Sequence, residues 1–433
     1  MNLATDDIRN HFNHLFNVER SLTGPGNEYT LDYLNNHGAK IDKRYVRSGS
    51  TVFDWNVPPE WSVNEAYILN GSGEKIIDYA NNFLHLVNYS VPIRKTNMTL
   101  EQIKPHIHYS EKDPNVIPYR TTYYDRDWGF CCTRKLLESE KFHPPFTVVI
   151  DTNLDETGNM VWGERIFEGQ KQEEIVLTTY ICHPNLANDN LSGIITNYLL
   201  MKFIETLPNL KYTYRFAFFP ETIGALVFLK QHPDIEKIKG GSIVTNTAGP
   251  GRFKLKQSFD PNHYTNQALQ YSCQKILGND IEIAEFTPDG SDERQFSKPG
   301  FRINTPSLHK SKYYDFWQYH TSADDLSIID IDGLLKVFEC YQEWILLLES
   351  FVTPKFTQQN GEMQLGKRGL YPSIGGGLNQ NMTVDRELEI IMWMMHYFDG
   401  TMSNFDLATK INVSIYDVNQ IIQKLYSKNI LIL

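Results

Sequence analysis

The chain has 433 residues, 41% of them hydrophobic and 13% aromatic, with a formal net charge of -11 at pH 7. That is enough apolar material for a large core and more than one domain, and the acidic balance gives no support for a nucleic-acid or anionic-membrane partner. No apolar run approaches the roughly 20 residues that cross a bilayer, and the five cysteines, with no CxxC spacing, form neither a disulfide framework nor a thiolate zinc site, so a reduced, cytoplasmic protein is expected.

The opening, MNLATDDIRNHF, lacks a basic stretch followed by an apolar one, and no secretory leader is expected there. Ile8, Phe12, Leu15 and Phe16 recur at helical spacing, and SLTGPGNE supplies a turn and a cap before YTLDYLNNHG, so two helices are predicted over the first 37 residues. From about Ser48 to Gly169 short β-type runs alternate with turn clusters: VFDWNVPPEW, AYILNGSG, FTVVIDTN and the hairpin-like GNMVWGERIFEG. This stretch reads as a compact all-β module spanning 49–169.

At Glu174 strands begin to alternate with helices. IVLTTYI, YTYRFAFF and GSIVTN read as strands, and LSGIITNYLLMKFIETL, TIGALVFLKQH, NQALQYSCQKIL and DGLLKVFECYQEWILLLESF as helices. Regular alternation implies an α/β unit with a mostly parallel central sheet between helical layers. The N-terminal helices need a sheet to pack on, so 1–48 join 170–355 and the β module becomes an insertion. Residues 356–433 hold a linker around KRGLYPSIGGG and a tail from Thr383 with the layout of a small winged helix-turn-helix.

In open α/β sheets ligands gather at the carboxyl ends of the strands. His183 and Asp189 follow IVLTTYI, Glu221 closes YTYRFAFFPE, Asn246 closes GSIVTN, Asp292 and Glu293 lie in DGSDERQF, and His320 lies in FWQYHTSADD. Each has a plainer explanation: Asp189 as a helix N-cap, Glu221 at the positive end of the next helix, His320 packed beside Trp317 and Tyr319. Cys182 reads as core, since strand neighbours point to opposite faces. The set as a whole is what suggests a site. Two histidines and a carboxylate suit Zn²⁺, and a glutamate nearby suits a base for water.

The run ANDNLSG after a His-bearing strand, ETIG at the next strand end, SD in GSDERQF and YHTSADD before the last long helix resemble the zinc aminopeptidase superfamily, which includes leucyl aminopeptidases and glutaminyl cyclases. VFDWNVPPEW, WGFC, CHPNLANDNLSG, PETIG and GSDERQF resemble more closely an aminopeptidase-like family of largely unassigned function. Its members carry an inserted β domain and a C-terminal winged helix, and the resemblance covers essentially the whole chain.

The resemblance implies a zinc-exopeptidase-like α/β/α sandwich in which His183, Asp189 and His320 bind metal and Glu221 is the general base. The chain also departs from two-zinc members. Thr222 stands where they have a second glutamate, Asn246 where they have a metal-binding aspartate, Asn185 for an aspartate and Glu293 for a histidine. Losing two anionic ligands argues for one Zn²⁺ per chain.

The expected activity is hydrolysis of a small peptide or aminoacyl amide next to a free amino terminus, with Asp292 and Glu293 holding the ammonium group. A non-catalytic binding protein and a glutaminyl-cyclase-like acyltransferase remain the alternatives. No membrane partner is expected, and a homo-oligomer is compatible. The tail carries Asp385, Glu387, Glu389, Asp399, Asp406 and Asp417 against Arg386, Lys410, Lys424 and Lys428. This net negative charge opposes specific nucleic-acid binding, and a docking role against another domain or a second subunit is expected instead.

Overall fold

The computed structural model describes residues 5–122, 124–370 and 382–433, so part of the linker around KRGLYPSIGGG lies outside the described residues. The chain starts with α1 (Thr5–Phe16) and α2 (Pro25–Asn36). Ile8, Phe12 and Leu15 of α1 are buried on one face, as their spacing requires. Pro25 stands in the first turn of α2, where a missing N–H leaves no bond unmade. β1 (Asp42–Arg47) leads into the insertion. There β2 (Glu60–Leu69), β3 (Lys75–Asp78), β4 (Ile93–Met98) and β5 (Phe146–Asp155) form an antiparallel sheet in the order β3–β2–β5–β4.

The segment expected to end the insertion as a hairpin behaves differently. β6 (Asn159–Phe167) pairs antiparallel with β1 and belongs to the central sheet. Its residues from Met160 to Glu164 are buried without alternation, as in a strand covered on both faces. Next come β7 (Glu174–Tyr180), α3 (Gly193–Ile204), β8 (Thr213–Phe219), α4 (Ile223–Gln231) and β9 (Ile238–Ile243). The sheet order is β1–β6–β8–β7–β9. The expected parallel core is the trio β8, β7 and β9, while β6 and β1 add an antiparallel edge.

β10 (Phe253–Lys256), α5 (Tyr264–Leu277), β11 (Ile281–Ala284), β12 (Ser307–Lys310) and α6 (Ile331–Glu349) follow, and the three strands make a second sheet in the order β11–β10–β12. One apolar cluster runs from Trp61, Ile68 and Phe146 of the insertion through Trp162 to Phe228 of α4.

By packing, the chain divides into two units, residues 1–261 with 273–342 and residues 262–272 with 343–433. The second unit therefore takes in the end of α6 and the start of α5. It also holds α7 (Met382–Tyr397), α8 (Asn404–Lys410) and α9 (Ile415–Ser427), the winged-helix elements. Ser403 and Asp406 cap α8 reciprocally, and α9 buries Ile415, Val418, Ile421, Ile422 and Leu425.

A buried ion network ties three strands of the central sheet together. Arg215 of β8 donates from Nε and Nη2 to Glu174 of β7 at 2.7 and 3.0 Å and from Nη1 to Glu164 of β6 at 2.5 Å, and His232 Nε2 lies 3.0 Å from Glu174 Oε2. Burial alone would raise the Glu174 carboxyl, but the bonds from His232 and Arg215 outweigh it and hold it at about 2, against the usual 4.5. A depressed carboxyl stabilises the fold above its unfolded pKa, and that stability is lost as pH falls through the folded one. The contribution should therefore drain between pH 4.5 and about 2. Glu174→Gln should cost about 1.5–3 kcal/mol at pH 7, because it removes one of the two carboxylates that pair with the buried Arg215. It should also flatten the fall of the urea midpoint across that pH window, and an acid profile parallel to wild type would contradict this account.

Candidate metal centre

β7 ends at Tyr180, and the loop that follows crosses the carboxyl edge of the central sheet. It is held from below by Arg20, a buried residue that donates from Nε to the His183 carbonyl at 3.0 Å and from Nη1 to the Leu15 carbonyl at 2.7 Å. Asn185, at φ 45°, uses its side chain as a tether. Its Nδ2 reaches Phe16 O at 3.3 Å and Asn17 Oδ1 at 3.1 Å, while its Oδ1 accepts the Phe83 N–H at 2.8 Å. The position where the resemblance would place an aspartate thus joins the loop to the end of α1 and to the insertion.

Asp189 is 1% exposed. Its N–H and that of Asn188 donate to the two carboxylate oxygens of Asp324 at 2.9 and 2.6 Å, and the Ala187 N–H donates to the Asp324 carbonyl at 2.8 Å. The Asp189 side chain makes no capping bond, so the helix-cap explanation does not describe it. Its Oδ1 accepts the Tyr180 hydroxyl, which itself accepts from Thr245 Oγ1 at 2.8 Å. Its Oδ2 is buried without a hydrogen-bond partner, although His320 Nε2 lies 3.0 Å away.

The ring of His320 stacks on Tyr319 at 3.9 Å and stands 5.5 Å from the ring of His183. One ligand atom from each of His183, Asp189 and His320 lies within 4.8 Å of the others, the one such trio found among the described residues. Bonds of about 2.0–2.1 Å in a tetrahedral zinc site put ligand atoms about 3.3 Å apart, so Asp189 Oδ2 and His320 Nε2, 3.0 Å apart, already stand close to that spacing.

The protonation states also suit a cation. Burial would raise Asp189, but His183, His320 and Tyr180 together bring it to about 2. Burial lowers His183 to about 4, with His320 and Arg20 reinforcing the effect against Asp189. At neutral pH the carboxylate is ionised and the buried imidazole neutral, the forms that bind metal.

Glu221 lies two residues beyond β8, half-buried, and lines a cavity of about 460 Å³ together with His183 and His320. Its N–H donates to Cys182 Sγ at 3.2 Å, and that sulfur is 3.4 Å from His183 Nδ1. Cys182 therefore faces the site. It is also buried in the apolar core, as expected, but its direction is not set by strand alternation, because β7 has already ended. Burial, reinforced by Asp292 and Asp189, pushes Glu221 well above the usual range, and burial raises Asp292 too. Asp292 Oδ1 accepts the Thr222 N–H at 2.7 Å, and its Oδ2 is buried without a partner.

Glu293, expected beside Asp292 as an ammonium holder, is committed elsewhere. Its Oε1 accepts from Lys256 Nζ and Tyr313 OH, both at 2.5 Å, and all three residues are buried. Two adjacent acids look alike in sequence; the buried lysine on β10 that separates their roles does not show there. Thr222 Oγ1 accepts from Arg294 Nη2 at 2.9 Å. Asn246 turns its amide nitrogen towards Asp189 Oδ1 at 3.5 Å and Tyr180 OH at 3.3 Å. Tyr180, Arg20 and Asp324 escape the sequence reading, although Asp324 sits in the same YHTSADD motif as His320.

Residues 9–350 match the family described as a domain of unknown function (DUF4910), and residues 352–432 match a winged helix-turn-helix family. A Clostridium acetobutylicum protein, named for an inferred role in polysaccharide biosynthesis and for its aminopeptidase-like domain, is 38% identical over 429 residues, 98% of this chain and 96% of that one. A crystal structure of an inferred peptidase from Clostridium acetobutylicum is 36% identical, covers 99% of this chain and 96% of that one, and superposes with a TM-score of 0.87. The zinc aminopeptidase of Bacillus subtilis is 13% identical, with a TM-score of 0.57 over 79% of this chain and 93% of its own, and so shares the fold alone. The chain belongs to the DUF4910 family, with an aminopeptidase-like fold and a C-terminal winged helix.

The pin at Asp324 is open to test. Asp324→Asn can accept only one of the two buried N–H groups, and the orphaned donor should cost about 1–3 kcal/mol in unfolding free energy. A denaturation midpoint equal to wild type would mean that the loop is anchored by other bonds.

Proposed function

We propose that this chain is a zinc-dependent, aminopeptidase-like hydrolase that cleaves a peptide or amide bond next to a free amino terminus. The observation that carries this reading is the convergence of His183, His320 and the buried Asp189 Oδ2, which lies 3.0 Å from His320 Nε2, with Glu221 on the same cavity. A zinc ion held by these three residues would supply a Lewis acid for a carbonyl and would lower the pKa of water from about 15.7 towards 7.

Glu221 accepts the proton of the attacking water and returns it to the leaving nitrogen. Burial, with Asp292 and Asp189, raises its pKa, which is the direction in which a carboxylate base is tuned. Cys182 fixes the Glu221 backbone, and Arg294 opposes the rise in its pKa. Asp292 acts on Glu221 by raising its pKa, and an ammonium group entering beside Glu221, the acid that lines the cavity, is favoured by this pair of acids. Glu293 has no part in this reading. The five cysteines are buried and unbridged, which supports a cytoplasmic setting, and among the described residues no helix is long and apolar enough to cross a membrane.

Elemental analysis of the purified protein should find close to one zinc per chain, and His183→Ala and His320→Ala should each largely empty the site. Two tightly bound metals would refute the single-zinc part. Glu221→Gln should keep zinc yet lose about 10²–10⁴-fold in kcat on the best substrate from a screen of aminoacyl amides and short peptides. Wild-type turnover in that variant would remove Glu221 as the base.

On this reading the tail does not bind DNA specifically. Lys424 pairs with Glu387, Arg386 lies 3.8 Å from Asp417, Lys428 Nζ donates to the Arg368 carbonyl at 3.4 Å, and Lys410 Nζ lies 5.1 Å from the Tyr397 ring centre. These four cations are engaged within their own unit, so among the described residues of the helical tail they form no free basic face to displace counterions. Fluorescence anisotropy at physiological salt should show no sub-micromolar binding to duplex DNA; such binding would overturn this assignment.

A further inference from the structure

One stretch of the insertion walls the cavity beside His183 and His320. Pro118, Tyr119, Arg120 and Thr121 all line it. The backbone here is bonded along both edges. On one side Tyr119 N–H meets the His320 carbonyl and Ser322 N–H the Ile117 carbonyl, both at 2.8 Å. On the other, Asn88 N–H meets the Arg120 carbonyl at 3.0 Å and Thr122 N–H the Asn88 carbonyl at 2.9 Å. The Tyr119 ring stands 5.1 Å from both histidine rings. Arg120 is therefore carried on a backbone fixed directly to the loop that holds His320.

Arg120 is exposed to solvent, and no hydrogen bond or ion pair of its guanidinium forms among the described residues. This is notable in a chain with 52 acidic residues against 41 Lys and Arg. Its charge is felt at His108, next to Tyr109 of the same cavity wall: burial first, and then Arg120, hold that histidine below its usual range. The residues lining the cavity thus include one acid, Glu221, and one arginine, Arg120. The volume of about 460 Å³ falls in the lower half of the range for small-molecule sites, roughly 300–1,000 Å³, and fits a compound of dipeptide size.

Building on the hydrolase reading above, we propose that the site takes a short substrate bearing a carboxylate, which Arg120 binds at the end remote from the scissile bond. A guanidinium presents a planar fork that matches two carboxylate oxygens at once, and this pairing is among the stronger hydrogen-bonding arrangements available to a side chain. A free dipeptide, with its carboxylate a few bonds from the amide, meets this description, whereas an aminoacyl amide supplies no such group.

The test uses the full-length, zinc-loaded protein and two matched series of hydroxamates. One comprises the monohydroxamates of succinic, glutaric and adipic acid; the other comprises the alkyl hydroxamates of the same lengths, ending in methyl. Titration calorimetry should show the best carboxylated compound binding about 10–100-fold more tightly than its alkyl counterpart, the usual worth of a charged hydrogen bond. In Arg120→Ala, checked for zinc content, that ratio should fall to within about threefold, and Arg120→Lys should restore part of it.

If alkyl hydroxamates bind and the carboxylate gives no advantage in wild type, the Arg120 proposal fails and the hydrolase reading stands. An advantage that persists in Arg120→Ala also overturns it. If neither series binds the zinc-loaded protein, the hydrolase reading fails and this proposal falls with it.

Discussion

Asp324 spends both carboxylate oxygens on the backbone of Asn188 and Asp189, and the geometry of the candidate centre depends on that choice. The loop from His183 to Asp189 has little regular structure to hold it, so a bound main chain is what gives the Asp189 carboxylate a direction. Asp324 is also only four residues beyond His320. The same buried group that aims Asp189 therefore fixes the separation between the two loops that bring the histidines together. Removing an acceptor from a buried N–H costs about 1–3 kcal/mol, enough to hold the arrangement against ordinary loop motion. Tyr180 and Arg20 add to it from the other side, one at the Asp189 Oδ1 atom and one at the His183 carbonyl.

The insertion shares this economy. Its segment around Pro118–Thr122 is bonded to the loop of His320, Phe83 bonds to Asn185, and Leu84, Val87, Ile117 and Cys131 pack with Leu186 in a small apolar cluster. Each loop that bears a candidate metal-binding residue thus has a contact with the insertion. Its larger apolar core is continuous with that of the central sheet, which makes it a wall of the cavity built into the same body. A compound entering beside His183 meets Tyr119 and Arg120 on one side and Glu221 on the other, so the insertion sets size and charge where the sheet edge sets chemistry.

The alternation of strands and helices after Glu174 was legible because each run is long, apolar and bounded by turn residues. His183, Asp189 and His320 could be proposed together because strand ends in such sheets are where polar residues gather, and the fold brings one ligand atom of each within 4.8 Å of the others. β6 was misplaced because a strand buried on both faces looks, in sequence, like any Val- and Trp-rich run, and only its pairing with β1 reveals its sheet. Glu293 was misjudged because its partner Lys256 lies 37 residues away on β10. Asp324 and Arg20 act on backbone atoms, and a bond to a main-chain group leaves no complementary residue type to notice. Cys182 was rightly read as core, although strand alternation, which ends two residues earlier at Tyr180, is not the reason.

The same contacts argue for one cation at this centre instead of two. Asn246 presents its amide nitrogen to Asp189, a donor where a second ion would need an acceptor. Thr222 is engaged by Arg294, whose charge opposes the raised pKa values of Glu221 and Asp292. A guanidinium so placed already offsets part of the negative charge that would otherwise attract a second ion. Adding a dication would set it against both Arg294 and the first ion with no further carboxylate to compensate, and like charges a few ångströms apart repel by several kcal/mol even at an effective dielectric constant of about 20. On the single-zinc proposal, Thr222, Asn246 and Arg294 would form one arrangement: a side-chain cation would stand in for part of the metal charge and leave Glu221 available to carry protons.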